Sequence, residues 1–112
     1  MKEKILIGLT NEVTVIGNNR KKRLMGRIDS GATMSSMDIK IAADLKLGPI
    51  IGTKKVKSAS GNGIRPIIQI EVVLKGKKFY KRFSLADRSH MKYKVLIGQN
   101  ILKGGFIIDP SR

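Results

Sequence analysis

The chain has 112 residues with no Cys, no Trp, three Phe and two Tyr, and its 23 Lys and Arg outnumber 8 Asp and Glu to give a net charge of +15. That length predicts a single domain over residues 1–112, too small for an internally duplicated pair of lobes. The absence of Cys excludes a disulfide framework and a thiolate metal site. The apolar run Ile5-Leu6-Ile7-Gly8-Leu9 is too short for a signal-peptide core or a membrane span, so the expectation is a soluble, cytoplasmic protein with no membrane partner.

In chain order, runs rich in β-branched residues and bounded by Gly, Asn or Pro predict strands. They fall at Lys4–Leu9, Glu12–Ile16, Leu24–Ile28, Ile50–Ser58, Ile67–Leu74, Lys77–Leu85, Val95–Ile97 and Phe106–Ile108. Asn18-Asn19 and Lys75-Gly76 read as hairpin turns. Met34, Met37, Ile41, Ala42, Leu45 and Leu47 recur at roughly helical spacing, with Gly48-Pro49 as a stop. That stretch reads either as a helix from Ser35 to Leu47 or as a strand followed by one short helix. The whole is an all-β domain without repeats, linkers or low-complexity tails.

Chemistry concentrates in Arg27-Ile28-Asp29-Ser30-Gly31-Ala32-Thr33. An Asp directly after a strand, followed by Ser-Gly-Ala, puts a carboxylate at the tip of a tight loop whose backbone N–H groups can hold it. Gly31 permits the close approach such a loop needs, and Ser30 can hydrogen-bond locally or across an interface. Taken alone, Asp-Ser-Gly is also ordinary turn chemistry. A second element, Val95-Leu96-Ile97-Gly98-Gln99-Asn100-Ile101-Leu102, reads as an apolar strand ending in glycine, followed by a short segment with room for one helical turn or more. A serine-nucleophile reading of Ser30 is poor, since His90 is the one histidine available as its base. His90 and the scattered carboxylates do not make a zinc ligand set. Neither Gly61-x-Gly63 nor Gly104-Gly105 completes a phosphate-binding fingerprint, so no cofactor and no metal are expected.

Together these motifs, with Arg65-Pro66, Leu85-Ala86-Asp87-Arg88 and Ile108-Asp109-Pro110-Ser111-Arg112, resemble the single-domain retropepsin-like aspartic peptidases. The resemblance is nearest to the branch labelled ATP-dependent zinc proteases, which accompanies ATP-grasp ligases of the RimK type. It implies a closed β-barrel half with one short helix, paired into a two-fold homodimer. In that dimer Asp29 of each subunit is the catalytic carboxylate, supported by the loop residues Ser30, Gly31 and Ala32. Leu96, Ile97 and Gly98 lie behind the loop. Ser60, Gly61, Asn62 and Gly63 form the tip of a flap whose backbone can pair with an extended peptide. Two such carboxylates share one proton, so one activates water while the protonated partner donates to the oxyanion.

Gln99 stands where the family usually has an Arg whose ion pair supports the dimer, and an amide cannot replace a bidentate guanidinium. The basic clusters Arg20–Arg23, Lys54-Lys55-x-Lys57, Lys75–Lys78 and Lys81-Arg82 are a solvated surface, or they favour an acidic peptide substrate drawn to a cleft flanked by Lys54, Lys55 and Lys57. Nucleic acid is the weaker partner, because five aromatic residues offer little for base stacking. The alternative to an endopeptidase is a catalytically silent module that binds acidic peptide, nucleic acid or an ATP-grasp ligase.

Overall fold

The computed structural model describes residues 3–58 and 61–112. Nine strands and two short helices follow in the order β1 (Ile5–Ile7), β2 (Thr10–Ile16), β3 (Lys21–Ile28), β4 (Ser35–Asp38), α1 (Ile39–Asp44), β5 (Ile50–Ser58), β6 (Gly61–Leu74), β7 (Lys77–Ala86), β8 (Val95–Ile97), α2 (Gln99–Leu102) and β9 (Phe106–Ile108).

Seven of the strands form one sheet in the order β2-β3-β8-β4-β7-β6-β5, and a further β2–β6 pairing closes it into a barrel. The 14 residues of β6 make this closure possible. Its C-terminal part pairs with β2, Val13 opposite Leu74, while its N-terminal part leaves the barrel with β5 as a two-stranded arm. Strands β1 and β9 pair in parallel as a separate small sheet.

Alternation explains which side of each strand faces inward. In β2, Val13 and Val15 are fully buried while Glu12 is exposed. In β6, Ile68, Ile70, Val72 and Leu74 point into the core, and Phe83 of β7 is the largest side chain wholly buried there. The turns at Asn19 and at Lys75-Gly76 take positive φ, as tight hairpins require.

Where the sequence left two readings for residues 35–47, the strand followed by a short helix is the one formed: β4 and then α1. The fold implied by the resemblance has one short helix, and α2 at Gln99–Leu102 is a second, the helical turn that the segment after Gly98 allowed, with Ile101 and Leu102 buried. Four residues are too few for a helical period to show. The predicted Lys4–Leu9 strand stops at Ile7, and the chain re-enters a strand at Thr10, two residues ahead of the predicted start.

Candidate active site

Three non-adjacent pieces of sequence build the loop that carries Asp29. Strands β3 and β8 pair in parallel, Ile28 beside Ile97, and the pairing runs one residue further, where Asp29 N–H donates to Ile97 O at 2.9 Å. Half-buried Asp29 thus sits where β3 ends. Its Oδ1 accepts the Gly31 N–H at 2.9 Å, and a Cβ on Gly31 would stand 3.2 Å from that oxygen. The glycine lets the carboxylate fold back onto the loop. Ser30 is exposed, and Ala32 N–H closes the turn on Asp29 O at 3.3 Å.

The far side of the loop is held by α2. Gln99 N–H donates to Ala32 O at 2.7 Å and Asn100 N–H to Thr33 O at 3.2 Å. Gln99 Nε2 donates to Ser30 O at 2.7 Å. The amide of Gln99 thus anchors the Asp29 loop within its own chain. Behind the loop, the Ser35 hydroxyl accepts the Gly98 N–H at 2.9 Å and donates to Asn100 Oδ1 at 2.8 Å. The same Oδ1 accepts Ser35 N–H, and Asn100 Nδ2 donates to Arg82 O. Leu96, Ile97 and Gly98 therefore lie behind Asp29. Gly98 packs so tightly that a Cβ there would stand 2.8 Å from Ala32 O and 2.9 Å from Met34 O.

Sequence reasoning assigned no role to Asp38 and Arg88, and the fold joins them. Asp38 precedes α1 but makes no side-chain cap bond to it. Instead its buried Oδ1 accepts the Arg88 N–H at 3.0 Å. The Arg88 side chain, only 9% exposed, donates from Nε to Tyr93 O at 3.2 Å. Burial pushes the Arg88 pKa down from the ordinary arginine value, and the neighbouring Arg65 and Arg27 add to the effect, while Asp38 and Asp29 oppose it. An arginine remains charged through such a shift, so the nearly buried Arg88 guanidinium keeps a positive charge that the Asp38 and Asp29 carboxylates partly offset. Strand period 2 was the available signal for Arg27, which precedes Asp29 by two residues and so shares its side of the chain.

The loop that follows β7 is tied to the same place. Lys94 Nζ donates to Arg88 O, Ser89 O and Met91 O at 3.1, 2.6 and 2.7 Å, and Lys94 O accepts the Asp38 N–H. Of the predicted flap residues, Gly61 and Asn62 pair with Ser58 and Lys57, and Gly63 with Val56; Ser60 lies outside the described residues. Lys55, Val56, Lys57, Gly63 and Ile64 line a cavity of about 680 Å³ on this arm. Among the described residues no three His, Cys, Asp or Glu side chains converge as a metal site would.

The family model that matches this sequence is RimB-like, described as the retropepsin-like aspartic endopeptidase RimB, and it covers residues 41–112, well over half of the chain. The chain belongs to the RimB-like family. That match supports a retropepsin-like aspartic endopeptidase family, not a zinc-dependent branch of it. It begins at Ile41, after the Asp29 loop. No curated protein matches the RimB-like chain.

Among solved structures, the RimB-like chain is similar to a Legionella pneumophila protein of unknown function, with TM-score 0.66 and 15% identity over 96% of this chain and 94% of that one. It is also similar to EIAV protease in complex with an inhibitor, with TM-score 0.66 and 21% identity over 85% of each chain. For simian foamy virus protease the TM-score is 0.64 and the identity 18%, over 84% and 91%. Identities this low carry the fold alone. The RimB-like chain has the retropepsin-like fold, a closed β-barrel with short helices.

Proposed function

We propose that this protein is a homodimeric aspartic endopeptidase in which Asp29 of each subunit supplies one carboxylate of the catalytic pair. The observation that carries the reading is the Asp29 loop: a carboxylate oriented by the Gly31 N–H at the end of β3, clamped by β8 and α2, in a chain of an aspartic endopeptidase family. Paired-carboxylate hydrolysis needs a second acid at short range. The loop's own bonds go to backbone groups and to Gln99, so a second copy of the loop supplies it. Two such carboxylates hold one proton between them. The ionised one takes a proton from water as it attacks the scissile carbonyl, and the protonated one donates to the developing oxyanion.

Exposed apolar residues of the β1–β9 sheet and of the segment after β1 support the pairing. Leu6 and Ile107 are register partners on the small sheet, 43% and 48% exposed. Leu9 is also exposed, and its carbonyl accepts the Ile28 N–H, one residue before Asp29. The charged Arg88, which feels the Asp29 carboxylate, and the lysines of the β5–β6 arm support an acidic peptide as substrate.

The deciding experiment is Asp29→Asn, which leaves an amide that neither shares a proton nor acts as a base. Peptide hydrolysis falls by at least about a thousandfold while fold and dimer persist. Undiminished hydrolysis overturns the mechanism. The second reading, a silent retropepsin-like binding module, has one observation in its favour: the family match starts beyond Asp29. Peptide binding without turnover by the unmodified protein selects it.

A further inference from the structure

Two cavities on the outer face of β6 and β7 share Gln69 and Tyr80 and so form one groove. The first, about 340 Å³, opens at Thr33 and Met34, which follow directly on the Asp29 loop, and takes in Lys81 and Arg82. The second, about 490 Å³, continues past Glu71 to Lys46. Register places Tyr80 opposite Glu71 and Arg82 opposite Gln69. Tyr80 and Arg82 are two apart on β7, so ring and guanidinium stand on the same face.

The groove is fixed relative to the loop. Asn100 Nδ2 holds Arg82 O, while Asn100 Oδ1 holds Ser35 and its backbone N–H holds Thr33 O. One side chain therefore ties the groove mouth to the segment leaving Asp29. Tyr80 is 63% exposed, a flat amphipathic surface that packs on a peptide backbone and offers it a hydroxyl. Arg82 at one end and Lys46 at the other, with Lys81 at the rim, outnumber the one carboxylate of the lining, Glu71.

We infer that this groove is an exosite for an acidic polypeptide, holding the part of the chain that lies beyond the residues at the scissile bond. The inference rests on the endopeptidase reading for its location at the end of the cleft. Charge attracts the chain, and the Tyr80 ring with the Gln69 amide gives it a surface to lie on. A single exposed ring is a poor platform for successive bases, which sets nucleic acid behind polypeptide here.

The test titrates the Asp29→Asn protein with two fluorescent acidic peptides, a short one spanning only the scissile bond and a long one extended on the side of Thr33 and Met34. The long peptide binds about tenfold more tightly, and that preference is lost in Tyr80→Ala and in Arg82→Glu, both made on the same background. A preference that survives both substitutions, or none to begin with, overturns the exosite. Tighter binding of a single-stranded oligonucleotide, equally sensitive to Tyr80→Ala, overturns the polypeptide assignment. Turnover by the unmodified protein is read separately. Cleavage without length preference ends the exosite and leaves the endopeptidase, whereas variant-sensitive length preference without cleavage ends the endopeptidase and leaves the groove.

Discussion

Gly98 is the residue on which the Asp29 loop rests, and it has no room for a side chain: a Cβ would meet Ala32 O and Met34 O at 2.8 and 2.9 Å. Gly98→Ala is expected to cost about 2 kcal/mol and to lower hydrolysis further than that loss of stability explains, by moving the loop. Urea unfolding and turnover on one preparation measure both. Ser35→Ala leaves the buried Gly98 N–H without a partner and Asn100 Oδ1 with only the residue-35 N–H, a loss of about 1–3 kcal/mol readable in the same transition. Farther from the loop, the Ser89 hydroxyl and N–H hold the Asp87 carboxyl below the usual carboxylate range. Its contribution to stability is present above the ordinary carboxylate pKa and is lost as pH falls through the lowered value. Ser89→Ala moves that titration upward in a carboxyl NMR experiment. At this scale Asp29 and Gly31 were legible, because a carboxylate followed by glycine after a strand has a local reason. Asp38 and Arg88 were not, because their partnership spans 50 residues and nothing local in either neighbourhood points to the other.

Among the elements, strands were more legible than helices. Alternation in β2 and in the Ile67–Leu74 part of β6 is long enough to read, whereas α2 has four residues and is fixed by what it packs on, not by its own pattern. The closing pairing of β2 on β6 was not legible either, since no short-range feature tells a long strand where to change partners. The loop after β7 makes a prediction at this scale. Lys94 satisfies three of its carbonyls at once, so Lys94→Met should free residues 88–92 while leaving the barrel closed. Hydrogen exchange that is faster in that loop, with β6 and β7 amides unchanged, is the expected pattern. Uniform loss of protection across the sheet contradicts it.

For the whole molecule, charge is the dominant fact. A net +15 repels itself, and the one ion pair among the described residues is the exposed Arg23–Glu12 contact at 3.6 Å. Surface repulsion is screened over a Debye length of about 8 Å at physiological ionic strength, so thermal stability should rise as salt is added from a low starting point. Acidic-peptide binding should weaken over the same range, and calorimetry alongside a binding titration separates the two trends. Composition foretold this field, though not that Arg27 and Arg65, from two other parts of the chain, come near enough for Arg88 to feel their charge. The proposed dimerisation through Leu6, Leu9 and Ile107 predicts that Leu6→Glu gives a monomer with greatly reduced hydrolysis, checked by sedimentation.

The clamp on the Asp29 loop also dictates an order of events in time. Gln99 and Ser30 are 69 residues apart, and strands so distant in sequence meet only after the loop-closure entropy of the intervening chain has been overcome. A nascent chain that has not yet yielded residues 97–100 carries Asp29 on an unformed loop, so the proposed hydrolytic centre is not assembled until that segment has been made. In refolding, the Asp29 amide, which bonds to Ile97 O, should gain protection with the slowest phase, after the local β6–β7 hairpin. Pulse-labelled hydrogen exchange would show whether the centre is the last part of the molecule to form.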